Sequence, residues 1–148
     1  MRPFDAYPGK GRKLSGELSN SNCRHGGGLK LQRVTHQTRC AYCNLNLVDT
    51  YEHWLLMCVD HVVPIRWGKV KGIREEWLYD ISNMVLACSG CNGFRNRFES
   101  SRRRLPTSFS QFCKMRDKIF LERKRLIKKS RVKEKSFFSS KPWEDRIL

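Results

Sequence analysis

The sequence predicts an α+β fold in which a small cysteine-knit core precedes a long basic helix. Three observations carry that prediction. Two Cys-x-x-Cys pairs, Cys40-Ala41-Tyr42-Cys43 and Cys88-Ser89-Gly90-Cys91, frame the middle of the chain. Around them lie most of the aromatic and β-branched residues, including the apolar run Trp54-Leu55-Leu56-Met57-Cys58-Val59. After Ser100 the composition shifts. Sixteen Lys or Arg stand against five Asp or Glu there, so this last third supplies +11 of the chain's +16 net charge.

Taken in order, residues 1–34 are rich in Gly, Ser, Asn and basic residues, with a Gly26-Gly27-Gly28 run and no sustained apolar period. They read as a basic, flexible N-terminal extension that is loose or orders on contact. Residues 35–100 read as the folded domain. Within it, Leu55 to Val63 predicts two short strands meeting at the Asp60-His61 step. Ser82 or Asn83 offers a cap for the next element, and a helix is expected from Asn92 to about Glu99. Residues 101–148 read as a basic helical C-terminal extension. Pro106-Thr107-Ser108 supplies a helix start, and Phe112, Ile119 and Leu126 recur at seven residues with Phe120 and Ile127 beside them. The remaining faces carry Lys114, Arg116, Lys118, Arg123, Lys124, Arg125, Lys128 and Lys129, either as a solvated face or as one that tracks a phosphate backbone. Phe137-Phe138 and Pro142-Trp143 are expected to tuck the tail back.

Thirty Lys and Arg against fourteen Asp and Glu, with a pI near 10.0, point to a polyanionic partner, nucleic acid first, because neutralising phosphates releases counterions. A ribosomal or membrane-surface protein is the blander reading. No apolar run approaches the roughly 20 residues of a membrane helix, and Met1-Arg2-Pro3-Phe4-Asp5 lacks the apolar core of a signal peptide. A soluble, cytoplasmic protein is expected.

Seven cysteines, four of them in x-x-spaced pairs, favour metal over disulfides in a reducing compartment. A Cys-x-x-Cys turn brings two thiolates to one ion, and two turns complete a tetrahedral site. Cys40, Cys43, Cys88 and Cys91 match that pattern across a 44-residue insertion, for structural Zn²⁺ with no open position for water. Cys58 reads as a core residue, and Cys23 and Cys113 as bystanders. His36, four residues before Cys40, could compete as a ligand, but the cysteine set is already complete.

One resemblance is specific. Cys-x-x-Cys, then Asp60-His61-Val62-Val63-Pro64, then Asn83-Met84-Val85-Leu86-Ala87-Cys88-Ser89-Gly90-Cys91-Asn92 resembles the zinc-ribbon branch of the HNH endonucleases, which share the ββα-metal fold. It covers about residues 40–99. The later segment from Arg116-Asp117-Lys118-Ile119-Phe120 to Pro142-Trp143 resembles, more weakly, the tail of small stand-alone bacterial or phage HNH proteins. The resemblance implies a metal-dependent nuclease acting on DNA, most often duplex. It makes His61 the general base that activates water, a task that suits an imidazole with an ordinary pKa near 6.5. It makes Asp60 and Asn92 ligands of a catalytic Mg²⁺ or Mn²⁺, and Asn83 the residue that braces the base-bearing loop. An acid and an amide form a sparse, hard oxygen set, which suits those ions. Adjacent strand residues point to opposite sides, so Asp60 and His61 can serve one site only where the strand turns or distorts.

Arg95 and Arg97 follow Asn92 on the expected helix, where Arg95 reads either as a clamp on the scissile phosphate or as an ordinary surface arginine. Lys124, Arg125, Lys128 and Lys129 are the candidate backbone contacts on the long helix. His53, eight residues before His61, reads either as a satisfied structural histidine or as one that approaches the site across the strands. The stretch Ile65 to Ile81 departs from the family pattern: it lacks a Gly-Gly pair and carries Trp67, Trp77 and Tyr79. An HNH core reads little sequence alone, so specificity would come from the flanks, a partner protein or a homodimer. Two other readings stay open: a non-catalytic zinc-ribbon nucleic-acid-binding protein, and an RNA-directed nuclease.

Overall fold

The computed structural model describes residues 3–7, 24–94 and 104–144. The architecture is mixed α+β. Strand β1 (Met57–His61) pairs antiparallel with β2 (Met84–Cys88), in a register that sets Met57 opposite Cys88, Asp60 opposite Val85 and His61 opposite Met84. All five residues of β2 are buried, as a continuous Met-Val-Leu-Ala-Cys run requires. A six-residue helix α5 (Ser89–Phe94) follows β2 directly. The sheet therefore differs from the expected pair of strands within Leu55–Val63. Thr50 caps a helix α2 (Tyr51–Leu55) by accepting the His53 N–H at 3.1 Å, so of the apolar run Trp54 and Leu55 are helical, Leu56 caps the helix and only Met57, Cys58 and Val59 are strand. The expected helix beyond Phe94 lies outside the described residues.

Between the strands the chain forms α3 (Ile65–Val70) and α4 (Glu75–Leu78), which bury Trp67 and Trp77. Gly68 lets the two approach: a Cβ there would stand 2.4 Å from Leu78 Cδ2. Gly72, at φ 75°, makes the turn that joins them. Asp80 then accepts the Ser82 N–H at 2.8 Å and starts a short 3₁₀ turn, Ile81–Asn83, that delivers the chain into β2.

Helix α6 (Phe109–Ser139) starts at the expected cap, with Ser108 Oγ accepting the Gln111 N–H at 3.3 Å. Its 31 residues make it about 46 Å long at 1.5 Å per residue. Phe112, Met115, Ile119, Phe120 and Ile127 are buried, whereas Leu126 is only half-buried. Two members of the expected basic face are also inside: Arg116 is 5 % exposed and Arg123 1 %. Both lie on the apolar stripe, and each finds acceptors there. Arg116 donates to Ser82 O at 2.7 Å and pairs with Asp117 Oδ1 at 2.7 Å. From Arg131 to Lys141 every residue is exposed.

The first 34 residues, expected as a loose extension, are in part built into the core. Helix α1 (Gly27–Thr35) packs on both strands through a fully buried Leu31. Near the start of the chain Phe4 sits 5.5 Å from the Phe120 ring and under the Arg116 guanidinium at 3.8 Å. Tyr7 donates to Met84 O, and Gln37 bridges the Tyr7 hydroxyl (2.7 Å) and the Leu86 N–H (3.1 Å). The tail does not fold onto the core as expected: Phe138 and Trp143, 65 % and 60 % exposed, pair with each other at 5.1 Å. Cys58 is half-buried, not a core thiol.

Candidate metal centre and the adjoining cleft

Cys40 and Cys43 sit on a tight turn closed by Cys40 N–H to Leu45 O (2.8 Å) and Asn44 N–H to Cys40 O (2.9 Å). Asn44 takes the left-handed φ of 66° that such a turn demands. Cys88 ends β2 and Cys91 lies one helical turn later in α5, its N–H donating to Cys88 Sγ at 3.4 Å. The four sulfurs all lie within 4.8 Å of one another, and Cys43 and Cys88 approach to 3.7 Å. Tetrahedral zinc with bonds near 2.3 Å needs sulfurs about 3.8 Å apart, so the cluster could hold a metal ion such as zinc. Their mutual hydrogen bonds divide the four thiols: Cys43 and Cys88, the latter at about 6, are pulled below the ordinary thiol range, chiefly by Cys40, while Cys40 and Cys91 are pushed above it, chiefly by Cys43 and Cys40 respectively. Thiolate is the form a metal takes. Arg131 Nη1 lies 3.6 Å from Cys91 Sγ, where it would offset the negative charge that four thiolates leave around a dication. His36, the left-handed cap of α1, is not in the cluster. His53 bonds Asp49 Oδ1 at 2.7 Å.

A second site lies next to this one. Asp60, His61 and Asn92 line a cleft of about 260 Å³, together with Pro64, Arg66 and Arg123. The strand problem is solved by position: His61 is the last residue of β1, where the chain leaves the sheet. Asn83, fully buried, holds that exit. Its Oδ1 accepts the Val63 N–H at 2.9 Å, its Nδ2 donates to Val63 O (3.0 Å) and Leu78 O (2.9 Å), and its carbonyl accepts the Val62 N–H at 2.8 Å. Asp60, His61 and Asn92 therefore share the lining of one cleft, and Asn83, outside that lining, braces the turn that follows His61.

The electrostatics are less simple. Burial holds the His61 imidazole below its ordinary pKa, opposed in part by the Asp60 charge and aided by Arg123. Its Nε2 is buried and has no hydrogen-bond partner among the described residues. The Tyr79 ring meets it edge-on at 6.1 Å. Asp60, 5 % exposed, is claimed from two sides. Arg123 approaches Oδ2 with Nη1 at 2.8 Å and Oδ1 with Nη2 at 3.1 Å, and Tyr42 donates its hydroxyl to Oδ2. Burial, then the Asp60 charge, pushes the Tyr42 hydroxyl well above its usual range, so it remains a donor.

Compared with protein-family models, curated proteins and solved structures, the chain matches none.

Lys124, Arg125, Lys128 and Lys129 are exposed on α6, whereas Arg95 and Arg97 lie outside the described residues. A larger hollow of about 690 Å³ runs between the cysteine turn and the second half of α6, walled by Tyr42, Phe94, Lys128, Arg131 and Phe138. It holds none of Asp60, His61 or Asn92. Sequence reasoning missed Tyr42, Arg66 and Arg123. For Arg123 a signal existed: it stands four residues after Ile119 and four before Ile127, in the middle of the apolar stripe. No helix among the described residues is long and apolar enough to cross a membrane.

Proposed function

We propose that the chain is a metal-dependent endonuclease of the HNH kind that hydrolyses phosphodiesters in DNA. One observation carries the reading: Asp60, His61 and Asn92, three positions singled out by the resemblance, line the same small cleft. Support comes also from the order of elements, two antiparallel strands followed at once by a helix, with the cysteine cluster at the strand end. In this reading the cluster holds structural Zn²⁺ and takes no part in chemistry.

His61 is the general base. A neutral imidazole that lines the cleft at the end of β1 is suited to take a proton from the attacking water. Asn83 keeps the His61–Val63 turn from relaxing, and Arg66 at the cleft wall is placed to meet substrate phosphate. The donor set fits a hard dication sparingly: a carboxylate offers about four lone-pair sites, and at Asp60 Oδ1 is engaged by Arg123 while Oδ2 is engaged by both Arg123 and the Tyr42 hydroxyl. Mg²⁺ or Mn²⁺, held by Asp60 and Asn92, would supply charge stabilisation for the phosphorane and the leaving 3′ oxygen. The exposed Lys124, Arg125, Lys128 and Lys129 supply sequence-independent backbone contacts to a duplex.

A second reading has an observation of its own. The double claim of Arg123 and Tyr42 on Asp60 also suits a catalytically silent zinc-ribbon binder in which Asp60 only holds the fold together. Cleavage of a defined plasmid in Mg²⁺ and Mn²⁺, with mapped ends, separates the two. The nuclease reading expects wild type to cut and His61→Ala to lose cutting while keeping its zinc. Undiminished cutting by the variant rejects His61 as the base; binding without any nicking favours the binder. Parallel single-stranded DNA and structured RNA substrates test for an RNA-directed enzyme.

A further inference from the structure

We propose that Arg123 is a positioning residue of the cleft, through which helix α6 sets the direction of the Asp60 carboxylate and the shape of the turn that presents His61. The inference rests on the nuclease reading and deepens it. One guanidinium serves four acceptors. Nη1 donates to His61 O (2.9 Å) and Val62 O (3.0 Å) and lies 2.8 Å from Asp60 Oδ2, while Nη2 donates to Asp60 Oδ1 at 3.1 Å. These are the side chain before the base, the base's own carbonyl and the next carbonyl. With the Asn83 bonds to Val62 and Val63, they fix both edges of the turn.

The placement is specific to arginine. A planar fork of five N–H donors can hold a carboxylate and two carbonyls at once, whereas an ammonium is a compact charge with no fixed plane. Arg123 is 1 % exposed yet lines the cleft, so its guanidinium borders the reacting groups without being free to leave with solvent. The Tyr42 ring flanks it, with the guanidinium carbon 5.5 Å from the centroid, and the Tyr42 hydroxyl bonds the same carboxylate. Nothing in basic composition distinguishes Arg123 from its neighbours, but Lys124 and Arg125 are exposed and Arg123 is committed inward. The third of the chain that looks like a DNA-tracking tail thus contributes to the site itself.

The test uses the full zinc-loaded chain with Arg123→Lys, which keeps the charge and loses the fork. Three readouts are taken: zinc content with thermal unfolding, steady-state cleavage of duplex DNA, and Mn²⁺ binding without DNA by electron paramagnetic resonance. Misplacement of catalytic groups predicts a kcat lower by roughly 10- to 100-fold with KM changed little. Mn²⁺ binding should weaken by roughly tenfold, as loss of a residue that orients a ligand does. A lowered unfolding midpoint with wild-type kcat and wild-type Mn²⁺ affinity would overturn the proposal and leave Arg123 a packing residue. Should Arg123→Lys fail to fold, Tyr42→Phe decides. It removes only the hydroxyl bond to Asp60 and should lower kcat and Mn²⁺ affinity in the same direction, and no change in either overturns the proposal. If wild type neither cuts nor binds Mn²⁺, the nuclease reading itself fails and takes the proposal with it. Wild-type cutting with an indifferent Arg123→Lys removes the proposal alone.

Discussion

Asn83 clasps Val63 by both faces of one peptide: its Oδ1 accepts the Val63 N–H at 2.9 Å and its Nδ2 donates to Val63 O at 3.0 Å. The second Nδ2 hydrogen goes to Leu78 O at 2.9 Å, so an amide of the 3₁₀ turn ties the exit of β1 to the end of α4. Asn83→Ala would strand a buried N–H and two buried carbonyls. At about 1–3 kcal/mol per buried group left unsatisfied, the loss should reach several kcal/mol. Urea unfolding of the zinc-loaded protein reads it directly, and a change under about 1 kcal/mol would refute the clasp.

The cysteine cluster predicts metal-dependent folding. Removing one thiolate, as in Cys91→Ser, should drop bound zinc below one per chain and broaden or abolish cooperative unfolding. Metal analysis and circular dichroism report both. Because the ligands must be deprotonated, acid should release the ion and the fold together. A fully zinc-loaded, normally folded Cys91→Ser protein would exclude the four-thiolate site.

The environment of His61 sets a pH expectation. Burial lowers the folded-state pKa, so the imidazole stays neutral below the ordinary histidine value near 6.5, as the proposed base requires. Cleavage rates should therefore be flat through neutrality, with an acid limb whose midpoint falls below about 6.5. Stability carries the same sign. The unfolded imidazole binds its proton first, so this group costs stability as pH falls through about 6.5 and contributes no such loss above it. A limb centred at or above that value would contradict the buried, neutral imidazole.

Four of the exposed cations of α6 make a quantitative prediction. Replacing Lys124, Arg125, Lys128 and Lys129 by Gln should weaken duplex binding at all sequences alike. The log-log salt slope should flatten by about 0.9 for each phosphate that is no longer neutralised. Fluorescence anisotropy across a salt series measures it, and an unchanged slope would leave these side chains as solvated surface.

The cysteine turns and the Asp-His and Asn positions were legible because their chemistry lies in spacing, and spacing survives in a bare sequence. Asn83, for example, sits five residues before Cys88, and from there its buried amide bonds the Val63 peptide. What was hidden depends on partners distant in the chain. The β1 partner is 84–88, not the adjacent residues, because Thr50 captures Tyr51–Leu55 for a helix. Leu31 and Phe4 lie in an arm with no sustained apolar period, and only the sheet and α6 give them surfaces to cover. Arg116 and Arg123 counted as surface charge for the same reason: their acceptors, Ser82 O and Asp60, lie 34 and 63 residues away.

That last separation has a temporal side. The chain is made from its N-terminus, so Asp60 and His61 leave the ribosome some sixty residues before Arg123 does. Until then the carboxylate has no guanidinium to meet, and the turn beyond His61 lacks one of its two supports. Completion of the cleft is therefore postponed to the emergence of α6. In the nuclease reading, a chain arrested with Asn92 outside the ribosome and Arg123 still inside it should cut DNA more slowly than the released protein does.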